Sequence, residues 1–446
     1  MLRSEEIIEV LSPLNFWGKG QEVGIERTSY LQKMQEYLGG KDVVLSVIGV
    51  RRAGKTYLTK QLLKLKAEHA SLEKTLYVLL EEPKFDPYLG LNLLDEVYQA
   101  YRDYVASEGE VYLVLDEIQN VLHWEKWVRT MLEKKEKVKI IITGSSSKLL
   151  SSSLATVLTG RTITLKVYPL SFDEFLLFKG QRVEKKYELL SKRRKLEKLL
   201  LEYITYGGFP QVVSSEDPTL KISMLKEIFE GIVLRDVVAR HKIRDAVLAK
   251  TVAEVSVNQF ACLTSAAKTR NMMVNLIGRK VSPNLILNLL SYLEEAFLIF
   301  QIPIFSYKVK EQKLYPKKTY CIDSGIINAV TIKFQENMGR LFENIVAISL
   351  IRKFGIENIF YWKSREQEEV DFVLKKGLKI EQLIQVCYEV LDKEVEKREE
   401  KALLKAAKEL YCSNLLVISR DTRKRKKVGP FEICYLPLLD WLLGDF

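Results

Sequence analysis

The chain has 446 residues, 47% hydrophobic and 28% charged, with a formal net charge of +11. That length exceeds what one hydrophobic core serves, so two to four globular domains are expected. No apolar run reaches membrane-helix length (residues 296–305 are broken by Gln301 and Pro303), five scattered cysteines without a C-x-x-C pair argue against a disulfide framework or zinc, and the acidic N-terminus does not read as a signal peptide.

A cytoplasmic location is the resulting expectation, with no membrane partner. Residues up to Leu38 read as a helical lead-in closed by Gly39-Gly40. A strand-like run over residues 43–50 then meets Gly49-Val-Arg51-Arg52-Ala53-Gly54-Lys55-Thr56, followed by a helical pattern over 57–65. This is G-x-x-x-x-G-K-[ST] in the strand–turn–helix context that a phosphate loop needs. Glycines let backbone N–H groups wrap phosphates, and the helix N-terminus favours negative charge. Lys55 is expected to reach the β/γ-phosphates of ATP, and Thr56 to place its hydroxyl on Mg²⁺.

Further strands are predicted over 75–80, 111–115, 138–142 and 164–167, alternating with helices, which means a parallel α/β sheet. The third strand ends in Asp116-Glu117, about 60 residues after the loop, a workable interval for the intervening βαβ units. A carboxylate there suits a Mg²⁺ partner, Asp116, and the next residue, Glu117, suits a base that polarises water. The fourth strand ends in Thr143-Gly-Ser145-Ser-Ser147, polar groups suited to sensing a γ-phosphate or to capping a helix near Lys148. Arg161 follows Gly160 at an element end, where a guanidinium is a candidate arginine finger. Residues 172–245 read as helical and charged, interrupted by Tyr206-Gly-Gly-Phe-Pro210.

These segments, in this order, together with Tyr168-Pro-Leu-Ser-Phe-Asp-Glu174-Phe and Leu-Arg235-Asp236-Val-Val, resemble the archaeal and bacterial AAA-type ATPases that carry a C-terminal domain of unknown function. The resemblance covers nearly the whole chain. It implies an ASCE-type P-loop core over residues 1–170, a helical lid over 171–248, a winged helix over 249–318, and a small α/β tail over 319–446 similar to restriction-endonuclease-like nucleases.

Residues beyond the core fit that outline. Ser282-Pro283 reads as N-cap and first helical position. An apolar stripe at helical spacing follows, with Asn284, Asn288 and Ser291 as polar readers. DNA contact and a packing role are both open here. In the tail, Glu343 on a helix and Asp371 on a strand match the nuclease pattern, but the Glu-x-Lys position reads Gln385-Val-Cys387. That removes a carboxylate and the lysine that metal-dependent cleavage uses. A degenerate site is expected; Lys375 and Lys379 are nearby lysines, with nothing in the sequence to place either in it.

Basic clusters stand at 192–195, 308–318 and 423–427, the last as a predicted turn tip between strands. They are compatible with non-specific, salt-sensitive DNA binding or with solvated surface. The expected protein is a Mg²⁺-dependent ATPase whose nucleotide state controls C-terminal DNA- or protein-binding modules, as a homo-oligomer or with a protein partner. An ATP-dependent nuclease and a non-enzymatic, nucleotide-gated DNA-binding scaffold are the alternatives.

Overall fold

The computed structural model describes residues 2–18, 21–40, 42–134, 136–146, 158, 160–331, 338–389 and 393–444. The chain divides into two compact units, Met1–Val167 and Tyr168–Phe446.

The first unit contains α1 (Ser4–Leu11), α2 (Thr28–Leu38), β1 (Val44–Gly49), α3 (Lys55–His69), β2 (Thr75–Leu79), α4 (Leu91–Tyr104), β3 (Val111–Asp116), α5 (Trp124–Glu133), β4 (Val138–Gly144) and β5 (Thr162–Val167). The strands are parallel in the order β2-β3-β4-β1-β5. Near-continuous apolar runs suit strands buried on both faces, and every residue of β1 is buried. On one face Ile7, Leu11, Leu94, Val97 and Val128 join Leu76, Leu113 and Ile140 in a single cluster. The predicted helical lead-in consists of α1 and α2. Residues 21–27 run without helical structure between α1 and α2. The helix predicted near Lys148 lies outside the described residues.

The order of strands positions the chemistry. Because β4 lies between β1 and β3, the loop after β1 and the carboxylates after β3 flank the end of β4. All three ends lie at the carboxyl edge, where ligands bind in open α/β sheets.

The second unit opens with α6 (Phe172–Phe178), α7 (Lys186–Ser191), α8 (Arg193–Tyr206) and α9 (Pro218–Gly231), which runs on into a π-helical stretch, Ile232–Ala239. Here the Tyr168–Phe175 and Tyr206–Pro210 segments meet. Ser171 and Glu174 form a capping box at the start of α6. Just before it, Leu170 N–H donates to Gly208 O (2.6 Å). A side chain on Gly208 would strike the Leu170 carbonyl, and one on Gly207 (φ 73°) would strike Asp323. The Asp323 carboxylate in turn accepts from Gly208 N–H (2.7 Å) and Gly325 N–H (2.9 Å). Burial pushes its pKa up to about 6. The Gly-Gly pair is therefore required by close approach, not by turn flexibility alone.

Next come α10 (Ala246–Asn258), β6 (Cys262–Thr264), α11 (Ala266–Ile277), α12 (Pro283–Glu295), β7 (Ile299–Ile302), α13 (Val309–Leu314) and β8 (Lys317–Cys321). The strands form an antiparallel sheet in the order β6-β8-β7. Ser282 is the N-cap of α12 with Pro283 at its first position. Strand β8 runs through residue 318.

The tail continues with α14 (Ser324–Val330), α15 (Met338–Phe354), β9 (Ile359–Lys363), β10 (Glu369–Lys376), β11 (Lys379–Cys387), α16 (Lys393–Leu410), β12 (Leu415–Ser419), β13 (Lys424–Val428), β14 (Phe431–Pro437) and α17 (Leu438–Leu442). Its sheet has the order β13-β14-β12-β11-β10-β9, with β12 parallel to both neighbours and the other pairs antiparallel. Leu403, Ala406 and Leu410 of α16 pack on Val373, Leu383 and Val417.

One expectation fails here. The basic run 423–427 is not a turn tip but mostly strand β13 itself. Lys424 and Lys426 pair with Glu396 (2.7 and 3.1 Å), Lys426 with Glu400 (2.6 Å), and Arg423 with Asp440 (3.1 Å). The lysine contacts pull the Glu396 carboxyl down to about 2. Alternation along the strand turns every second cation onto acidic residues of α16, so most of this charge is already matched.

Candidate functional site

At the carboxyl edge of the first sheet, Gly54 adopts φ 91° as the N-cap of α3. Gly49 (φ 151°) lies so close to Val167 O that no side chain would fit. Arg51 and Arg52 form the outer turn of the loop, Arg52 itself at φ 67°. The first N–H groups of α3 have no intrahelical acceptor by the geometry of any helix start, so they face the loop mouth. The buried Lys55 ammonium donates to Gly49 O (3.0 Å) and Val50 O (3.1 Å), held against the loop it would leave for a phosphate.

The Asp116 carboxylate gathers three hydroxyls. Thr56 donates to Oδ2 at 2.8 Å, Tyr77 donates to the same oxygen, and Thr143 donates to Oδ1. Hydrogen bonds to an ionised acceptor are among the strong ones, so Asp116 is oriented before any ligand arrives. Glu117 stands in left-handed backbone (φ 57°). Its N–H donates to Thr143 Oγ1 (3.0 Å), and its carboxylate accepts from the Gln119 amide. Thr143 thus links the two acidic residues. Burial raises the Glu117 pKa, opposed by the nearby Lys55 charge. Ser145 is buried just beyond the end of β4.

The structure brings together Gly49, Arg51, Arg52, Ala53, Gly54, Lys55, Thr56, Asp116, Glu117, Thr143 and Ser145. It does not bring Arg161. Val44 pairs with Thr162, and Val44 N–H donates to Arg161 O (2.8 Å). Arg161 therefore stands where β1 begins, while the loop stands where β1 ends. Five strand steps of about 3.3 Å separate them, beyond the reach of one side chain.

Two contributors were missed in the sequence. Tyr77 comes from β2, two residues before that strand's end, and carried no motif. Arg27 donates to Ala53 O (2.9 Å), while the Gln61 amide donates to Val23 O and Ile25 O (2.8 Å each). These bonds fasten residues 23–27 to α3 and to the phosphate loop. No motif in the sequence marked Arg27 or Gln61.

In the second unit, Glu343 and Asp371 do converge, but on a lysine. The Lys318 ammonium contacts Glu369 (2.6 Å), Asp371 (2.8 Å) and Glu343 (2.9 Å) and is itself 4% exposed. Tyr320 donates to Glu343 (2.7 Å). The Gln385 oxygen accepts from Asp371 N–H (3.2 Å), and the Gln385 amide donates to Glu399. Burial, with the Asp371 charge, pushes the Glu343 carboxyl up to about 7. Among the described residues no group of three or more His, Cys, Asp or Glu is arranged to hold a metal. Neither Lys375 nor Lys379 is the lysine that joins these carboxylates. The available sequence signal was a lysine directly before the strand-like run 319–322. Removing one partner from such a buried network leaves uncompensated charge. Lys318→Met should therefore lower the unfolding free energy by about 3–5 kcal/mol. Urea unfolding followed by tryptophan fluorescence checks this, and a loss under about 1 kcal/mol, the range of an exposed pair, would contradict it.

Comparisons with known proteins agree with the core. Residues 41–176 match the family model described as AAA domain, residues 197–337 a domain of unknown function (DUF8612), and residues 338–439 another (DUF4143). An uncharacterized protein of Methanocaldococcus jannaschii is 38% identical over 372 residues, 83% of this chain and 80% of its own length. An uncharacterized protein of Haemophilus influenzae is 30% identical over 422 residues, 94% of this chain and 98% of its own. The Aeropyrum pernix ORC1 protein, solved in complex with DNA, is similar at a TM-score of 0.33 and 16% identity over 68% of this chain and 92% of that one, too slight a likeness to bear on function. With a phosphate loop, a parallel five-stranded sheet and these relatives, the chain belongs to the family of archaeal and bacterial AAA-type ATPases with C-terminal domains of unknown function.

Proposed function

We propose that the protein hydrolyses ATP with Mg²⁺ and uses the nucleotide state to control its C-terminal modules. The observation that carries this reading is the Thr56–Asp116 contact of 2.8 Å beside a preset Glu117. Two oxygens from α3 and β3 suit one hard dication that keeps its remaining waters. Bound there, Mg²⁺ would neutralise charge on the β- and γ-phosphate oxygens. Lys55 and the α3 amides hold the phosphates. Glu117 takes the proton of the attacking water. Thr143 keeps Glu117 and Asp116 in register, with Ser145 next to them.

Arg161 supports the same reading in a particular form. Standing at the far edge of its own sheet, it serves as a finger only for the site of a neighbouring copy, which makes the active species a homo-oligomer. The tail is a restriction-endonuclease-like module in which Lys318 stands where a metal would. That weighs against the nuclease alternative. The α10–β6–α11–α12–β7–β8 segment is read as a winged helix with nucleic acid as its partner. Phosphate release measured with and without Mg²⁺ tests the ATPase. Turnover should require the metal and vanish in EDTA, and metal-independent or absent turnover would leave only a nucleotide-gated scaffold.

A further inference from the structure

The two larger basic clusters of the second unit differ in what faces them. In the run 423–427, Arg423, Lys424 and Lys426 meet carboxylates at 2.6–3.1 Å. In the connection between β7 and β8 Lys308 alone does so among the described residues, at 3.4 Å from Glu311. Residues 306–317 hold Lys308, Lys310, Lys313 and Lys317 against the single acid Glu311. Glu311, in α13, is engaged within the same connection, by the Ser306 hydroxyl (2.6 Å) and by Lys308 (3.4 Å). Lys310 and Lys313 are exposed and form no ion pair among the described residues.

Aromatic rings interleave with this charge. Tyr307 is 78% exposed and Tyr315 is 52% exposed. Neither is on a loose strand of chain. Tyr307 meets Phe305 edge-on at 5.3 Å, and Phe305 meets Phe360 edge-on at 5.5 Å. Phe305 N–H donates to Tyr361 O (2.6 Å), and the Tyr361 hydroxyl donates to Pro316 O. Both ends of the connection are thus tied to β9. The Gln312 amide, donating to Ser306 O (2.7 Å), closes the loop on itself. Rings held in place at the surface lose little freedom when something stacks on them.

We infer that this connection is a single-strand nucleic-acid platform, with Tyr307 and Tyr315 stacking on bases and Lys308, Lys310 and Lys313 contacting the phosphates between them. The inference rests on the reading of this segment as a nucleic-acid-binding module and names its ligand. Alternating basic and aromatic groups fit an anionic backbone whose bases are free, because every base has a face to stack. A duplex hides those faces, so it would use the lysines and leave both rings idle.

The test uses the full chain, a fluorescein-labelled oligo-dT and a duplex of the same length, read by fluorescence anisotropy at several salt concentrations. Wild type should prefer the single strand. Tyr307→Ala and Tyr315→Ala should each weaken oligo-dT binding by about 5- to 160-fold, from a stacking worth of about 1–3 kcal/mol, with the salt slope unchanged. The triple change Lys308→Gln, Lys310→Gln, Lys313→Gln should flatten the slope of log K against log salt by about two, at about 0.7 per phosphate. Basal ATP turnover without nucleic acid, measured on the same samples, should stay at the wild-type value, since every altered residue lies outside the phosphate site. Normal turnover with oligo-dT binding that none of these changes moves would overturn the platform while leaving the ATPase standing. Lost binding by the lysine variant with no effect of the tyrosines would assign the surface to duplex. No binding to either nucleic acid would overturn the inference in favour of an acidic protein partner.

Discussion

Glu117→Gln should leave ATP binding intact and lower turnover by about 10²–10⁴-fold, the worth of a positioned general base. The backbone of Glu117 sits at φ 57° with its N–H fixed on Thr143 and its carboxylate on Gln119. Glutamine has the same length and keeps an oxygen for the Gln119 amide, so the geometry survives. It cannot take a proton from water, so the chemistry does not. Burial has already raised the proton affinity of this carboxyl. Its active, ionised form is therefore present above the raised value and lost as pH falls through it. The acid limb of the wild-type rate should consequently lie above the ordinary carboxylate value of 4.5, and it should be missing from the residual rate of Glu117→Gln. Binding is read with a fluorescent ATP analogue and turnover by phosphate release. A variant that turns over ATP at the wild-type rate would show that another group is the base.

Arg161→Ala should lower turnover by about 10³-fold or more, the low end of what a finger supplies to phosphoryl transfer, and the loss should be recoverable. Arg161 carries its backbone carbonyl to Val44 at the start of β1. Its own phosphate loop lies beyond the other end of that strand. If the guanidinium works on a neighbour, two dead proteins complement each other. An Arg161→Ala subunit supplies an intact Glu117, and a Glu117→Gln subunit supplies the arginine. Mixing them should restore part of the activity, and wild-type turnover per subunit should rise with protein concentration. Absence of both effects, with Arg161→Ala fully active, would remove Arg161 from the machinery.

Much of the nucleotide site was legible because its parts are local. The loop Gly49–Thr56 and the strand end Asp116-Glu117 are contiguous, and their chemistry follows from residue type and spacing. Strand alternation with helices set the parallel sheet, and the Ser282-Pro283 start of α12 followed from capping preference. The Ser171–Glu174 box and the Gly207-Gly208 turn were visible as motifs. That they pack on one another, through Leu170 and Gly208 and with Asp323 beneath, was not.

What the sequence by itself determined is therefore the local chemistry: a phosphate loop, two carboxylates at a strand end, and an α/β framework to hold them. Only the tertiary structure decided which distant groups face them. Tyr77 reaches Asp116 because β2 is the neighbour of β3, a matter of strand order. Arg161 is turned away from its own loop because β5 runs parallel to β1. Lys318 fills the space between Glu343, Glu369 and Asp371 because β8 of the small sheet lies against α15 and β10. Lys424 and Lys426 of β13 are matched by α16, while Lys310 and Lys313 between β7 and β8 form no ion pair among the described residues. Charge and hydroxyl groups act over a few ångströms in space, and sequence separation says nothing of that distance until the strands are ordered.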